Sequence, residues 1–198
     1  MPAKQQEQLK ILVVGETDAM AGMMIESLQQ AGHVPVGSIS PADDIVSNVN
    51  AGNVDVVIAY MEQTNLAFMN QIYMLNQETP RPVIIFTEKS ESELIKGAVQ
   101  AGVSAFVVDG YSHHRIGPIL ELAVARFREE RSLRDELQET KTRLDERKVI
   151  EKAKGIIMSK RHLDEDDAYK ALRKLAMDRN QKIADVARDV ISVSTLLN

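Results

Sequence analysis

Over the first 115 residues, short unbroken apolar runs alternate with longer segments in which apolar residues recur at helical spacing. Ile11-Leu12-Val13-Val14 is a β-rich run without polar alternation, the mark of a strand covered on both faces of a parallel sheet. A helix from about Ala19 to Ala31 follows, with Met20, Met23, Met24 and Leu28 on shared faces and Gly32 as its stop. Val34 to Ile39 reads as the second strand. Ser40-Pro41-Ala42-Asp43 predicts a helix capped by Ser40, with Pro41 at its first position, running to Ala51-Gly52. Asp55 to Tyr60 is the third strand, Leu66 to Asn76 a helix, and Val83 to Phe86 the fourth strand after the extended Pro80-Arg81-Pro82. Ser90 and Glu93 stand at capping-box spacing before a helix ending at Ala101-Gly102, and Ala105 to Val108 is the fifth strand. Strands alternating with helices in this way require right-handed crossovers and a three-layer parallel sheet, most simply in the order 2-1-3-4-5.

The pattern then becomes wholly helical. One long helix is expected from Ile116 to about Lys160, with Gly117 and Gly155 its only glycines. Leu133, Leu137 and Leu144 share a heptad seam with Thr140, but Glu130 and Arg147 lie on it too. Both a short dimeric coiled coil and a solvated helix laced by charge pairs fit that seam. Leu163 to Asp167 caps a second helix with Ala168, Leu172, Leu175 and Ala176 on its apolar face. After a turn at Arg179-Asn180-Gln181, Ile183, Val186, Ala187, Val190 and Ile191 line a third. The expected division is an α/β domain over 1–115, a linking helix over 116–146 and a three-helix bundle over 147–198.

With 44% hydrophobic and 27% charged residues, the chain has the composition of a folded soluble protein. It has no cysteine, which removes disulfides, thiolate zinc sites and a cysteine nucleophile from consideration. There is no transmembrane-length apolar run, and the opening MPAKQQEQLK has no signal-peptide core, so a cytoplasmic protein is expected. Charge is unevenly spread. Residues 1–115 carry 6 basic against 13 acidic side chains, whereas 147–198 carry 12 against 8, so an anionic partner would meet the C-terminal bundle.

In a doubly wound sheet, chemistry sits at the carboxyl ends of the strands. Those ends hold Gly15-Glu16, Tyr60, Thr87 and Asp109-Gly110. The layout, flavodoxin-like and CheY-like, resembles the receiver domain of bacterial response regulators. In that family, acids after strand one, an aspartate ending strand three, a Ser/Thr after strand four and a lysine after strand five build a phosphorylation site. Here the acid pair is Gly15 and Glu16, the phosphoacceptor position holds Tyr60, and the lysine position holds Asp109; only Thr87 fits. Aspartyl phosphorylation needs a carboxylate nucleophile and a divalent cation, so a degenerate, chemically silent pocket is expected. The four histidines are separated or adjacent in sequence, reading as surface or loop residues, and no metal site, cofactor or enzyme activity is expected.

The most specific pattern lies further on. Glu151-Lys152-Ala153-Lys154-Gly155-Ile156-Ile157-Met158, Leu163, Asp167 to Met177, Asn180, Ile183, Val186-Ala187 and Val190-Ile191 together resemble the ANTAR domain. Asp109-Gly110, the stretch Ile119 to Phe127 and Arg173 to Asn180 further resemble the NasT type of nitrate/nitrite regulator. The resemblance implies an RNA-binding transcription antiterminator acting on paired leader-RNA hairpins, partnered by a NasS-like nitrate/nitrite sensor and homodimeric when active. The side chains of the bundle allow such a role. Lys154, Arg161, Arg173, Lys174, Arg179 and Lys182 offer phosphate contacts, Asn180 a base-edge contact and Tyr169 a stacking plane. Packing is assigned to Ala153, Met158, Leu163, Leu172, Ala176, Val186 and Ala187. An adaptor that binds only protein, and an AmiR-like amide-responsive antiterminator, are the rival readings.

Overall fold

The unbroken apolar runs are strands because every residue in them has a core to enter. In β1 (Lys10–Gly15), Leu12 and Val14 face one core while Ile11 and Val13 face the other. β3 (Val56–Gln63) and β4 (Val83–Lys89) alternate likewise, whereas β2 (Val34–Ile39) and the short β5 (Ala105–Val107) form the edges. All pairings are parallel and the order is β2-β1-β3-β4-β5, as the run pattern implied. The structure, a computed structural model, describes residues 8–89, 91–108 and 110–196.

One sheet face is covered by α2 (Ile45–Gly52), α3 (Leu66–Glu78) and α4 (Ser92–Gln100), through Ile45, Val49, Phe68, Ile72, Leu75 and Ala98. The other is covered by α1 (Asp18–Gln30) and the first turns of α5 (Ile116–Arg161), through Met24, Leu28, Ile116, Leu120 and Ala123. Pro118 is tolerated in α5 because it falls in the first turn, where a backbone N–H has no helical partner.

Two helix starts differ from expectation. α2 begins at Ile45, with Asp44 as its N-cap accepting the Ser47 N–H at 3.1 Å. The carboxylate of Asp43 turns back to the Ser40 N–H at 2.7 Å, which holds Pro41 to Asp43 in a turn and leaves Ser40 outside the helix. α4 begins at Ser92 after Glu91, with no side-chain cap bond; the predicted cap, Ser90, lies outside the described residues.

The chain divides into two compact units, up to Arg131 and from Ser132. The first is longer than the 1–115 expected, because Ile116, Leu120, Ala123 and Val124 are buried members of its core. In the second, the C-terminal part of α5 packs with α6 (Glu165–Arg179) and α7 (Ile183–Leu196) around Ala153, Leu172, Ala176, Val186 and Ala187. Among the described residues no helix is long and apolar enough to cross a membrane.

Candidate phosphorylation pocket and nucleic-acid interface

At the carboxyl end of the sheet, the groups expected to form a degenerate pocket are tied up by their neighbours. Gly15 ends β1 opposite Tyr60 of β3. A Cβ at Gly15 would stand 2.7 Å from the Ala21 Cβ and 2.9 Å from the Ala21 nitrogen, so α1 occupies the space that an acidic side chain would need. The Glu16 carboxylate accepts the backbone N–H of Glu62 at 2.5 Å. Thr87 is fully buried, its hydroxyl pointing between the carbonyl oxygens of Glu62 and Lys89 at 3.0 and 2.8 Å.

Tyr60 is 7% exposed and donates its phenol proton to Glu88 at 2.6 Å. Its ring lies 5.5 Å from that of Tyr111, which stands edge-on to Phe86. Burial, reinforced by the Glu88 carboxylate, pushes the phenol up to about 12. At neutral pH the group is a protonated hydrogen-bond donor and not a nucleophile. Glu88 is a functional neighbour that the sequence reading missed. Strand alternation carries the signal: Glu88 lies two residues beyond Phe86, which pairs with Tyr60, so all three share one face. Asp109 lies outside the described residues; next to it, Gly110 has a left-handed φ of 74°, and a Cβ there would meet both Glu88 carboxylate oxygens at 2.8 Å.

Of the histidines expected at the surface or in loops, His33 lies in a loop but is buried, and His113 is exposed. The His33 Nδ1 accepts the Leu9 N–H at 3.4 Å, and burial lowers its pKa. His113 bridges Ser27 and Gln30 of α1. Among the described residues no group of His, Asp and Glu is placed to hold a metal ion.

In the second unit, Asp164 caps α6 by accepting the Asp167 N–H at 2.8 Å, and Glu165, Asp166 and Asp167 set negative charge against the positive end of the helix dipole. Lys154 is not an open phosphate ligand. It is 7% exposed and its Nζ lies 2.9 Å from Glu151 and 2.7 Å from Glu165, clamping α5 to the start of α6. The Glu165 hydrogen bond, followed by that to Glu151, raises its pKa. Arg179 pairs with Asp189 of α7 at 3.4 Å. Asn180 ends α6 in a left-handed conformation, φ 51°, where the Gln181 N–H reaches back to the Ala176 carbonyl at 3.0 Å. An open groove of about 670 Å³ runs between the end of α5, α6 and α7.

Residues 138–191 match the family described as the ANTAR domain. This chain carries an ANTAR domain, and its first unit has the fold of a receiver domain. The chain is 29% identical over 181 residues to the transcriptional regulatory protein PdtaR of Mycobacterium tuberculosis, covering 91% of this chain and 88% of that one. It is 40% identical over 78 residues to the nitrate regulatory protein of Klebsiella oxytoca, covering 39% of this chain but only 20% of that one. Its fold matches the signal receiver domain of a modulated diguanylate cyclase from Desulfovibrio desulfuricans, with TM-score 0.55, 14% identity, and 63% and 99% of the two chains covered. It also matches that of the response regulator NarL from Mycobacterium tuberculosis, with TM-score 0.51, 17% identity, and 60% and 98% covered.

Within the ANTAR domain, the side chains singled out from the sequence fall into separate sets. Arg161, Lys174 and Arg179 line the groove. Tyr169, 40% exposed, and Arg173 lie one helical turn apart on another flank of α6, outside the groove lining. Lys182 is exposed in the turn beside Asn180. Leu133, Leu137 and Leu144 are 60%, 55% and 52% exposed along α5.

Proposed function

We propose that this ANTAR regulator is an RNA-binding transcription antiterminator controlled by protein contact and not by phosphorylation. The observation that carries the reading is the altered receiver pocket in a chain that also carries an ANTAR domain: Ala21 stands against Gly15, and Tyr60 is neutral and bound to Glu88. A receiver fold without the means to bind a cation or form an acyl phosphate retains its surfaces, and those surfaces are what a sensor protein would hold. The likeness to the nitrate regulatory protein supports nitrate or nitrite assimilation genes as targets, with a NasS-like sensor as partner. The protein acts as a regulator and not as an enzyme, in the cytoplasm. The exposed leucines at 133, 137 and 144 support a homodimer as the active form, since paired leader hairpins call for paired readers.

Leader-RNA hairpins supply the test. Arg173→Ala or Lys174→Ala weakens binding to every hairpin alike and flattens the salt dependence, because each neutralised phosphate releases counterions. Acetyl phosphate with magnesium leaves the intact mass unchanged. An acyl-phosphate adduct, or unaltered hairpin binding by both variants, would overturn the reading.

A further inference from the structure

The groove of the ANTAR domain has a composition that neither its fold nor its charge requires. Its floor is aliphatic, formed by Ile156 of α5, Leu175 of α6, and Val190 and Val193 of α7. Val193 is 55% exposed although it is apolar. The lining carries four cations, Lys160 and Arg161 at the end of α5 and Lys174 and Arg179 on α6, against two acids, Asp178 and Asp189, the latter paired with Arg179. About 670 Å³ lies within the size range of sites that bury small ligands. An apolar slot edged by cations suits a group that is flat and apolar on its faces and anionic at its attachment. A nucleotide splayed out of an RNA loop is such a group. Its base loses stacking when extruded and regains contact between apolar side chains, while its phosphate stays at the mouth.

We propose that this groove receives an unstacked loop base of the bound RNA, with Arg161 and Lys174 holding the flanking phosphates. The proposal rests on the RNA-binding reading above and adds where recognition of the loop occurs. It assigns Tyr169 no part in this pocket, because Tyr169 lies outside the groove lining. Net positive charge over 147–198, with 12 basic against 8 acidic residues, favours a polyanion over an aliphatic peptide as the occupant.

Filling the groove separates this proposal from the reading it rests on. Val193→Trp adds bulk at an exposed position and spares the core, and Ser192→Trp adds the same bulk on α7 outside the groove lining. The RNA probe is a hairpin selected on the wild-type full-length protein from a loop-randomised pool, compared with the same stem closed as a continuous duplex. Val193→Trp is expected to weaken hairpin binding about tenfold or more while binding the duplex like the wild type, and Ser192→Trp is expected to bind both normally. If circular dichroism shows that Val193→Trp disturbs the bundle, Val193→Glu places a carboxylate at the same mouth and is expected to give the same selective loss. Hairpin binding by well-folded groove variants within twofold of the wild type overturns the base pocket and leaves RNA binding intact. Failure of the wild type to enrich any RNA from the pool removes both.

Discussion

Gly15→Ala is the smallest perturbation that tests why the receiver pocket lacks the first acid of its pair. In a strand interior this change ordinarily gains roughly 0.5–1 kcal/mol, because alanine restricts the unfolded chain more than glycine does. At Gly15 the new methyl would stand 2.7 Å from the Ala21 Cβ, 2.9 Å from the Ala21 nitrogen and 3.0 Å from its Cα. Two of those three neighbours are backbone atoms, so no side-chain rotation relieves the contact, and either β1 or α1 has to move. Overpacking of this kind costs about 1–3 kcal/mol, which reverses the usual sign. For a unit of this size the expected fall in melting temperature is roughly 3–5 °C per kcal/mol. Three of the four tyrosines, Tyr60, Tyr73 and Tyr111, lie in the first unit, so near-ultraviolet circular dichroism follows its melting separately from the helical signal. Ala21→Gly removes the 2.7 Å contact but leaves the other two, so the double variant recovers only part of the loss. A Gly15→Ala protein that melts at or above the parent temperature refutes the argument, and with it the claim that an acid is sterically barred from this position.

The Tyr60 phenol should make stability depend on pH at the alkaline end. It ionises near 10 in the unfolded chain and at about 12 in the folded one, so its contribution of up to about 3 kcal/mol is complete below pH 10 and lost as pH rises through 12. Urea titrations of the parent and Tyr60→Phe should converge over that window, and a constant difference between them would contradict the shift. Lys154→Met should leave hairpin affinity unchanged in gel-shift titrations, because the ammonium is held by Glu151 and Glu165; a loss equal to that of Arg173→Ala would return Lys154 to the RNA surface. Replacing Leu133, Leu137 and Leu144 with lysine should weaken self-association in sedimentation, each buried leucine being worth up to about 1.5–3 kcal/mol, and identical mass distributions for an associating parent and the variant would remove the seam.

Strand positions and sheet order were legible because both faces of the sheet are covered, which forces runs such as Ile11 to Val14 to be apolar throughout. Caps were less so. Asp43 and Asp44 are adjacent and equally suited to cap α2, and only the tertiary path decides that Asp43 folds back to Ser40 while Asp44 takes the helix. The end of the first unit was hidden inside a continuous helix, where Ile116 to Val124 differ from later residues in what they bury and not in helical spacing. Lys154 shows the same limit for function. Its charge marks it as a surface residue until Glu165, eleven positions away in sequence, is seen to reach its Nζ. Glu88 went unremarked because acidic residues at strand ends are common, and its partnership with Tyr60 exists only across two paired strands.

The contacts in the receiver pocket constrain how it could change. Each position where a receiver keeps a reactive group is occupied here by a neighbour: Ala21 beside Gly15, the Glu62 amide on Glu16, and the Glu88 carboxylate both on Tyr60 and in the space above Gly110. An acid at Gly15 collides with α1, an aspartate at Tyr60 leaves Glu88 without its phenol, and any side chain at Gly110 meets that same carboxylate in a backbone conformation suited to glycine. Each of these steps taken alone is expected to cost stability. On the proposed reading, several coordinated substitutions separate this pocket from one that could be phosphorylated, and change in signalling would fall first on the surfaces through which other molecules grip the domain.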